Sequence, residues 1–273
     1  MLDDEELTRA LPFRHISPDR TRWFLKDDAD RAVADSATEH FSLGRDELRA
    51  RGLYVKGVTR RVGFYFVTDG GAKIFCKGTV YRHWRESLRH KTRGWSEARN
   101  LLLAAKRRIP VPAVYGFGLR RSWGLVDRSL VLMEYLGDHR TLLDLLETSA
   151  SQDQRRAYLA RSIPLIVSLY RGCANHIDLG GPNIMIHSSS AERDVLIDFQ
   201  DVPFHPAPSA EILCYHLGFL LHNVGAHFSE EDIQSWTRRV LQTAGVPAGD
   251  ALLAKIAAYR RSPPERKQSM LLR

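Results

Sequence analysis

Apolar and polar positions change their rhythm partway along the chain. The first fifty residues are polar, with helical spacing over Pro18–Ala37 and Leu43–Arg51. From Leu53 the period shortens. Leu53–Val67 and Ala72–Lys77 are rich in Val, Tyr and Phe and flank the turn Thr68-Asp69-Gly70-Gly71, which predicts a β-hairpin. A basic segment, Tyr81–Arg93, follows, and then a helix over about Trp95–Arg107 that must stop before Ile109-Pro110-Val111-Pro112. Ala113–Leu119 and Ser129–Tyr135 read as two further strands. Thr141–Leu146 opens a run of helices. The next helix, about Asp153–Gly172, contains Pro164 and is expected to kink or break there. Ala210–Val224, Glu230–Ala244 and Asp250–Tyr259 carry three more helices, and SPPERKQSMLLR reads as a loose tail.

Strands therefore dominate the first half of the core and helices the second. That pattern predicts an α+β, two-lobed layout with a cleft between the lobes. The hinge falls near Met133–Gly137. The expected division is an extension over 1–52, a strand-rich lobe over 53–136, a helical lobe over 137–261, and a flexible basic tail over 262–273. The 273 residues suffice for such a core, and no apolar run approaches the ~18 residues of a membrane span. MLDDEELTRALPF is acidic first, unlike a signal peptide, so a cytoplasmic protein is expected. Cys76, Cys173 and Cys214 are scattered and form neither a disulfide nor a zinc pattern, so all three are expected to be buried. The net charge of +8 suits an anionic partner without choosing among nucleotide, nucleic acid and acidic membrane. No nucleic-acid reader motif is present, and the charge is spread along the chain, so no nucleic-acid partner is expected.

The chemistry concentrates in HIDLGGPNIMIHSSSAERDVLIDFQ, His176–Gln200. Phosphoryl transfer to a hydroxyl needs a carboxylate to accept or orient the hydroxyl proton, and an amide and a second carboxylate to hold metal on the nucleotide phosphates. Asp178 suits the first role; Asn183 and Asp198 suit the others. IMIH and DVLI read as a hairpin delivering Asp198 beside the loop. A lysine on the phosphates is also required, with a partner to hold it. Lys77 closes AKIFCK, where alternation puts Ile74 and Cys76 on one face and Lys73, Phe75 and Lys77 on the other. Glu97, early on the following helix, is its expected ion-pair partner, and Lys73 is the rival lysine. No G-x-G-x-x-G precedes Lys77; only Gly63, Gly70 and Gly71 are at hand. An adenine ring is expected against the hinge, on backbone groups of Glu134 and Leu136, lined by Met133 and Leu132.

Together these residues resemble the protein-kinase-like superfamily, and within it the bacterial kinases of lipopolysaccharide core sugars, the Kdo and heptose kinases. The likeness runs from about Gly52 to Val224. GLYVKGVTRRVGFYFVTDGGAKIFCKG is similar to that family's hairpin and nucleotide lysine, WSEARNLLLAAKRRIPVPAVYGFG to its glutamate helix and following strand, and HIDLGGPNIMI with LIDF to its catalytic and metal motifs. The resemblance implies a bilobal protein-kinase-like fold and ATP- and Mg2+-dependent transfer to a sugar hydroxyl of lipid A–core. It places the enzyme at the cytoplasmic face of the inner membrane, and the basic segment Tyr81–Arg93 is expected to meet the acceptor or that anionic surface, peripherally. It makes Lys77 and Glu97 the phosphate clamp, Asp178 the catalytic base, and Asn183 and Asp198 the metal ligands. Gly180 departs from it, standing where protein kinases carry a lysine, and Gln200 replaces the glycine after Asp-Phe. Two other readings share these motifs: a small-molecule phosphotransferase of the aminoglycoside or choline kinase type, and a pseudokinase scaffold.

Overall fold

The computed structural model describes residues 9–26, 31–58, 60–81 and 93–272. The chain forms two compact units, Met1–Leu103 with Pro112–Leu136, and Ala104–Val111 with Gly137–Arg273. The basic segment after Tyr81 lies, over 82–92, outside the described residues.

The first unit is built on an antiparallel sheet of seven described strands in the order β1-β2-β6-β7-β5-β4-β3. They are β1 (Phe13–Ile16), β2 (Arg22–Leu25), β3 (Tyr54–Val58), β4 (Arg61–Val67), β5 (Lys73–Val80), β6 (Val114–Ser122) and β7 (Leu125–Glu134). Period-two patterning gives the sheet two unlike faces. Trp23, Leu25, Phe64, Phe66, Ile74, Cys76, Leu130 and Leu132 share one face, buried together with Val33, Ala34 and Ala37 of α1 (Arg31–Ser42) and Leu48 of α2 (Arg45–Ala50). On the other face Phe117, Val131 and Lys77 stand in one row.

Four expectations change here. The described residues of 1–52 are not a separate extension. β1 and β2 extend the sheet, and α1 buries its alanine face on it. The helix expected over Pro18–Ala37 gives way to β2 followed by α1, because Trp23 and Leu25 gain more from the sheet core than from helical spacing. Leu53–Val67 is two paired strands, Tyr54↔Phe64 through Val58↔Arg61. Lys77 does not end its strand: β5 continues to Val80.

The second unit pairs β8 (His139–Thr141), β9 (Ile184–His187) and β10 (Val195–Leu196) in the order β10-β9-β8. Its helices are α4 (Leu142–Thr148), α5 (Gln152–Arg171), α6 (Ala210–Val224), α7 (Glu230–Ala244), α8 (Asp250–Arg261) and α9 (Arg266–Ser269). Helix α3 (Arg93–Lys106) lies mostly in the first unit, and its last residues, from Ala104, belong to this one. Helix α6 is apolar nearly all round, as a central helix must be. Helix α7 starts with a capping box, Ser229 and Asp232, and ends at Gly245 with φ 76°. Helix α5 runs unbroken through Pro164. An interior proline costs about 3 kcal/mol. Ile163, Leu165, Ile166, Val167 and Leu169, all buried, each contribute about 1.5–3 kcal/mol and outweigh it.

The described residues of the expected tail, 262–272, are not loose either. Ser269 is fully buried, its carbonyl accepts from Asn175 Nδ2 at 2.8 Å, and Arg266 pairs with Asp201. Cys76 and Cys214 are buried as expected, but Cys173 is only half-buried, in a positive-φ turn after α5.

Candidate active site

In the first unit the sheet and α3 bring Lys77 and Glu97 together. Trp95 stands edge-on to Phe117 at 5.8 Å, on the Lys77 face of the sheet, and Ala98 and Leu101 are buried about one and two turns on. That docking fixes the rotation of α3, so Glu97 Oε1 lies 2.7 Å from Lys77 Nζ. Glu97 is almost fully buried and Lys77 mostly so. A pair this sheltered is weakly screened, and losing one partner would strand the other charge. The rival lysine is engaged elsewhere: Lys73 Nζ lies 5.9 Å from the ring centres of both Tyr65 and Tyr135, which stack on each other at 4.4 Å. Opposite Lys77 in the ladder stands Gly63, where a Cβ would meet the Phe75 ring at 2.8 Å. The strand beside the lysine thus carries no side chain there.

Near the end of β7, Met133 pairs with Phe75 and faces the same side as Lys77, whereas Leu132 points into the opposite core with Cys76. Leu132 therefore does not share the Lys77 face, because ladder neighbours alternate. Glu134 donates its N–H to the Ala113 carbonyl at 2.9 Å, so that donor is already committed to the sheet. Leu136 is the last residue of the first unit and is half-buried.

In the second unit, Asp178 is exposed between buried Ile177 and Leu179. The loop closes on itself. Gly180 N–H donates to the Asp178 carbonyl at 2.8 Å, and Asn183 Nδ2 donates to the same oxygen at 2.8 Å. With its nitrogen committed, the Asn183 amide leaves Oδ1 as the atom for a cation. The expected hairpin forms, Met185 opposite Val195 and Ile184 opposite Leu196. Asp194 anchors its turn, pairing with Arg161 and accepting from His187 N–H at 2.8 Å. Just past the hairpin, Ile197 N–H donates to the Asn183 carbonyl at 3.1 Å, and the Ile197 carbonyl accepts from His176 Nε2 at 2.9 Å. Both ends of the loop thereby grip the residue before Asp198. Asp198 itself has φ 64°, a left-handed conformation that aspartate tolerates better than most residues, and its side chain is exposed. A carboxylate and an amide oxygen are hard donors that would suit a cation such as Mg2+.

Three supports of this loop were not foreseen. His216, on apolar α6, accepts at Nε2 from the His176 backbone N–H at 3.0 Å, and Tyr215 donates its hydroxyl to the Ile177 carbonyl. Burial, reinforced by neighbouring His176, pushes His216 down to about 3, so it stays neutral and able to accept. Burial also lowers His176, against the Ile197 carbonyl and the charges of Asp198 and Asp178. Asn175, the third, ties the loop to the chain's end through Ser269. A lone histidine and tyrosine in the apolar run ILCYHLGFLL were the only sequence signal for the first two. The glycine at the lysine position has a packing reason: a Cβ on Gly180 would stand 2.8 Å from Asn223 Oδ1, and one on Gly181 2.9 Å from Val224. After Gln200 the chain returns directly to α6, pinned by Asn175 N–H on the Pro203 carbonyl at 2.9 Å and His205 N–H on the Cys173 carbonyl at 2.8 Å.

A strand-rich unit bearing a lysine–glutamate pair, followed by a helical unit bearing this loop, makes the fold α+β and protein-kinase-like. Comparison with solved structures agrees. WaaP in complex with acyl carrier protein matches with a TM-score of 0.54 and 16% identity, over 89% of this chain and 100% of that one. The structure of vaccinia related kinase 3 gives a TM-score of 0.45 at 11% identity over 97% and 92% of the two chains. A specific rhoptry antigen kinase domain of Toxoplasma gondii gives 0.48 at 13% over 80% of each. At such identities the likeness is one of fold, and the first alone carries it. No protein-family model and no curated protein matches the chain.

Proposed function

We propose that this chain is an ATP- and Mg2+-dependent phosphotransferase whose acceptor is a sugar hydroxyl, Kdo or heptose, of the lipopolysaccharide inner core, met at the cytoplasmic face of the inner membrane. The observation that carries the phosphotransferase reading is the double grip on Ile197, which ties Asp198 to the loop holding Asp178 and Asn183. In this reading Lys77, steadied by Glu97, neutralises nucleotide phosphate; Asn183 Oδ1 and Asp198 hold the metal; Asp178 accepts or orients the hydroxyl proton. Met133 packs on the base, with backbone groups of Leu136 and the Glu134 carbonyl on its edge. The short, pinned segment after Gln200 leaves no long loop for docking a peptide, which supports a non-peptide acceptor. The sugar acceptor rests on the sequence resemblance to lipopolysaccharide core kinases. Among the described residues no helix is long and apolar enough to cross a membrane.

The test is incubation with labelled ATP and lipid A–core from strains lacking core phosphates, beside aminoglycosides and choline. Label in the saccharide supports the reading; label only in the soluble compounds replaces it with the drug- or choline-kinase type. Neither labelled, with nucleotide bound, points to a scaffold.

Within this reading the two lysines of β5 separate cleanly. Lys77→Ala removes the charge at the phosphates and strands buried Glu97, whereas Lys73→Ala loses only cation–π contacts of about 0.5–1 kcal/mol. Transfer should fall far more in the first variant. Equal losses, or the reverse order, would move the clamp to Lys73.

A further inference from the structure

The hairpin of β6 and β7 outruns its neighbours in the sheet. Strand β2 pairs with β6 only as far as Leu119, and β5 pairs with β7 only as far as Arg128. Beyond those rows Tyr81 N–H donates to the Asp127 carbonyl at 2.9 Å, and the last pairs among the described residues, Arg121 opposite Val126 and Ser122 opposite Leu125, join β6 and β7 to each other. At the tip stand Trp123, with φ 53°, and Gly124, with φ 80°, the two left-handed positions of a tight two-residue turn. Trp123 is 100% exposed. Indole is among the most costly side chains to leave in water, and tryptophan is usually well covered.

The base of this hairpin is braced. Arg120 grips Asp127 through Nε and Nη2, the latter at 2.7 Å, and Arg128 pairs with Asp19 at 3.1 Å. Asp19 in turn accepts from Thr21 N–H at 2.9 Å. These contacts use up the two aspartates of this end of the sheet. Arg121 is exposed beside the tip, and Arg20 and Arg22 are exposed on the adjoining edge, where Ile16, opposite Arg22, is 60% exposed. The surface is thus a bare indole on a braced stalk, rimmed by exposed arginines.

We propose that this tip is an anchor for an anionic bilayer surface, with the Trp123 indole at headgroup level and Arg121, Arg20 and Arg22 on lipid phosphates. A single projecting side chain suits a bilayer, which receives an indole anywhere along its surface. A specific protein partner needs about 800 Å² of matched surface per side, which a two-residue tip does not offer. The proposal deepens the reading of a lipid-linked acceptor and rests on it for its biological sense, but its test does not.

The full chain is sedimented with vesicles of phosphatidylcholine alone and with vesicles containing a third phosphatidylglycerol. Binding should require the anionic lipid, weaken with salt, and be accompanied by a blue shift of tryptophan emission. Trp123→Ala should weaken it by about tenfold and reduce the blue shift. Arg121→Gln should weaken it by about fivefold, the loss of one charge near such a surface. Unchanged unfolding midpoints should show that both variants fold. Phosphorylation of a soluble, deacylated core acceptor should be the same in Trp123→Ala and the parent. Equal vesicle binding by parent and Trp123→Ala, or binding by neither, would each overturn the anchor. Absence of acceptor phosphorylation in the parent would instead overturn the proposed function, and vesicle binding would still decide this question.

Discussion

Asp178→Asn is expected to lower the transfer rate by about 10²–10⁴ while leaving nucleotide affinity nearly unchanged. The substitution keeps the size and the backbone bonds of the loop, since it is the Asp178 carbonyl, not its side chain, that Gly180 and Asn183 use. What it removes is an exposed carboxylate able to take or orient a proton. Single-turnover transfer and calorimetry with Mg-ATP would separate the two effects. Wild-type turnover in the variant would remove Asp178 from the chemistry. A parallel loss of nucleotide affinity would show that the loop itself had been disturbed.

The second large effect is on stability and arises from His216. Its pKa, pushed down to about 3, lies below the ordinary 6.5, so the unfolded chain takes up a proton before the folded one does. Stability from this group is therefore complete above pH 6.5, is lost as pH falls below it, and is exhausted near pH 3. The slope is about 1.4 kcal/mol per pH unit, hence about 2 kcal/mol between pH 6.5 and 5. His176, lowered by burial, adds a loss of the same sign. The lowered carboxylates Asp19, Glu211, Glu230 and Asp232 contribute only below their ordinary values near 4, outside this window. His216→Gln keeps an acceptor for the His176 N–H but cannot titrate. Denaturant midpoints at pH 7 and 5 should show a clear drop in the parent and a drop smaller by about 2 kcal/mol in the variant. Equal drops would mean that His216 is protonated without cost.

Much of this architecture could be read from local pattern. The two strands after the Pro110–Pro112 segment, the hairpin carrying Asp198, and the helices Ala210–Val224 and Glu230–Ala244 lie where apolar spacing and caps put them. These elements combine a strong period with strong stop signals, so local preference and tertiary packing agree. Local preference misled where burial competed with it. Trp23 and Leu25 sit in a stretch with helical spacing, yet they complete the sheet core, and Pro164 is carried by the apolar face around it. The tail 262–273 looked free because its anchoring groups are a serine and an arginine, which have no apolar signature; their partners, Asn175 and Asp201, are remote in sequence.

For the candidate site the division is similar. By itself the sequence determined which residue types were present and how far apart: the carboxylates and amide of 176–200, and a lysine and a glutamate twenty positions apart. It could not choose between Lys77 and Lys73, which share a strand face, and it could not show what holds the loop. Those matters are long-range. The rotation of α3 against Phe117 selects Lys77 for Glu97, the Tyr65–Tyr135 stack occupies Lys73, and α6 supplies His216 to the His176 backbone. Spacing along the chain specifies neighbours within an element, whereas contacts between elements depend on how whole faces pack, and only the tertiary structure decides that.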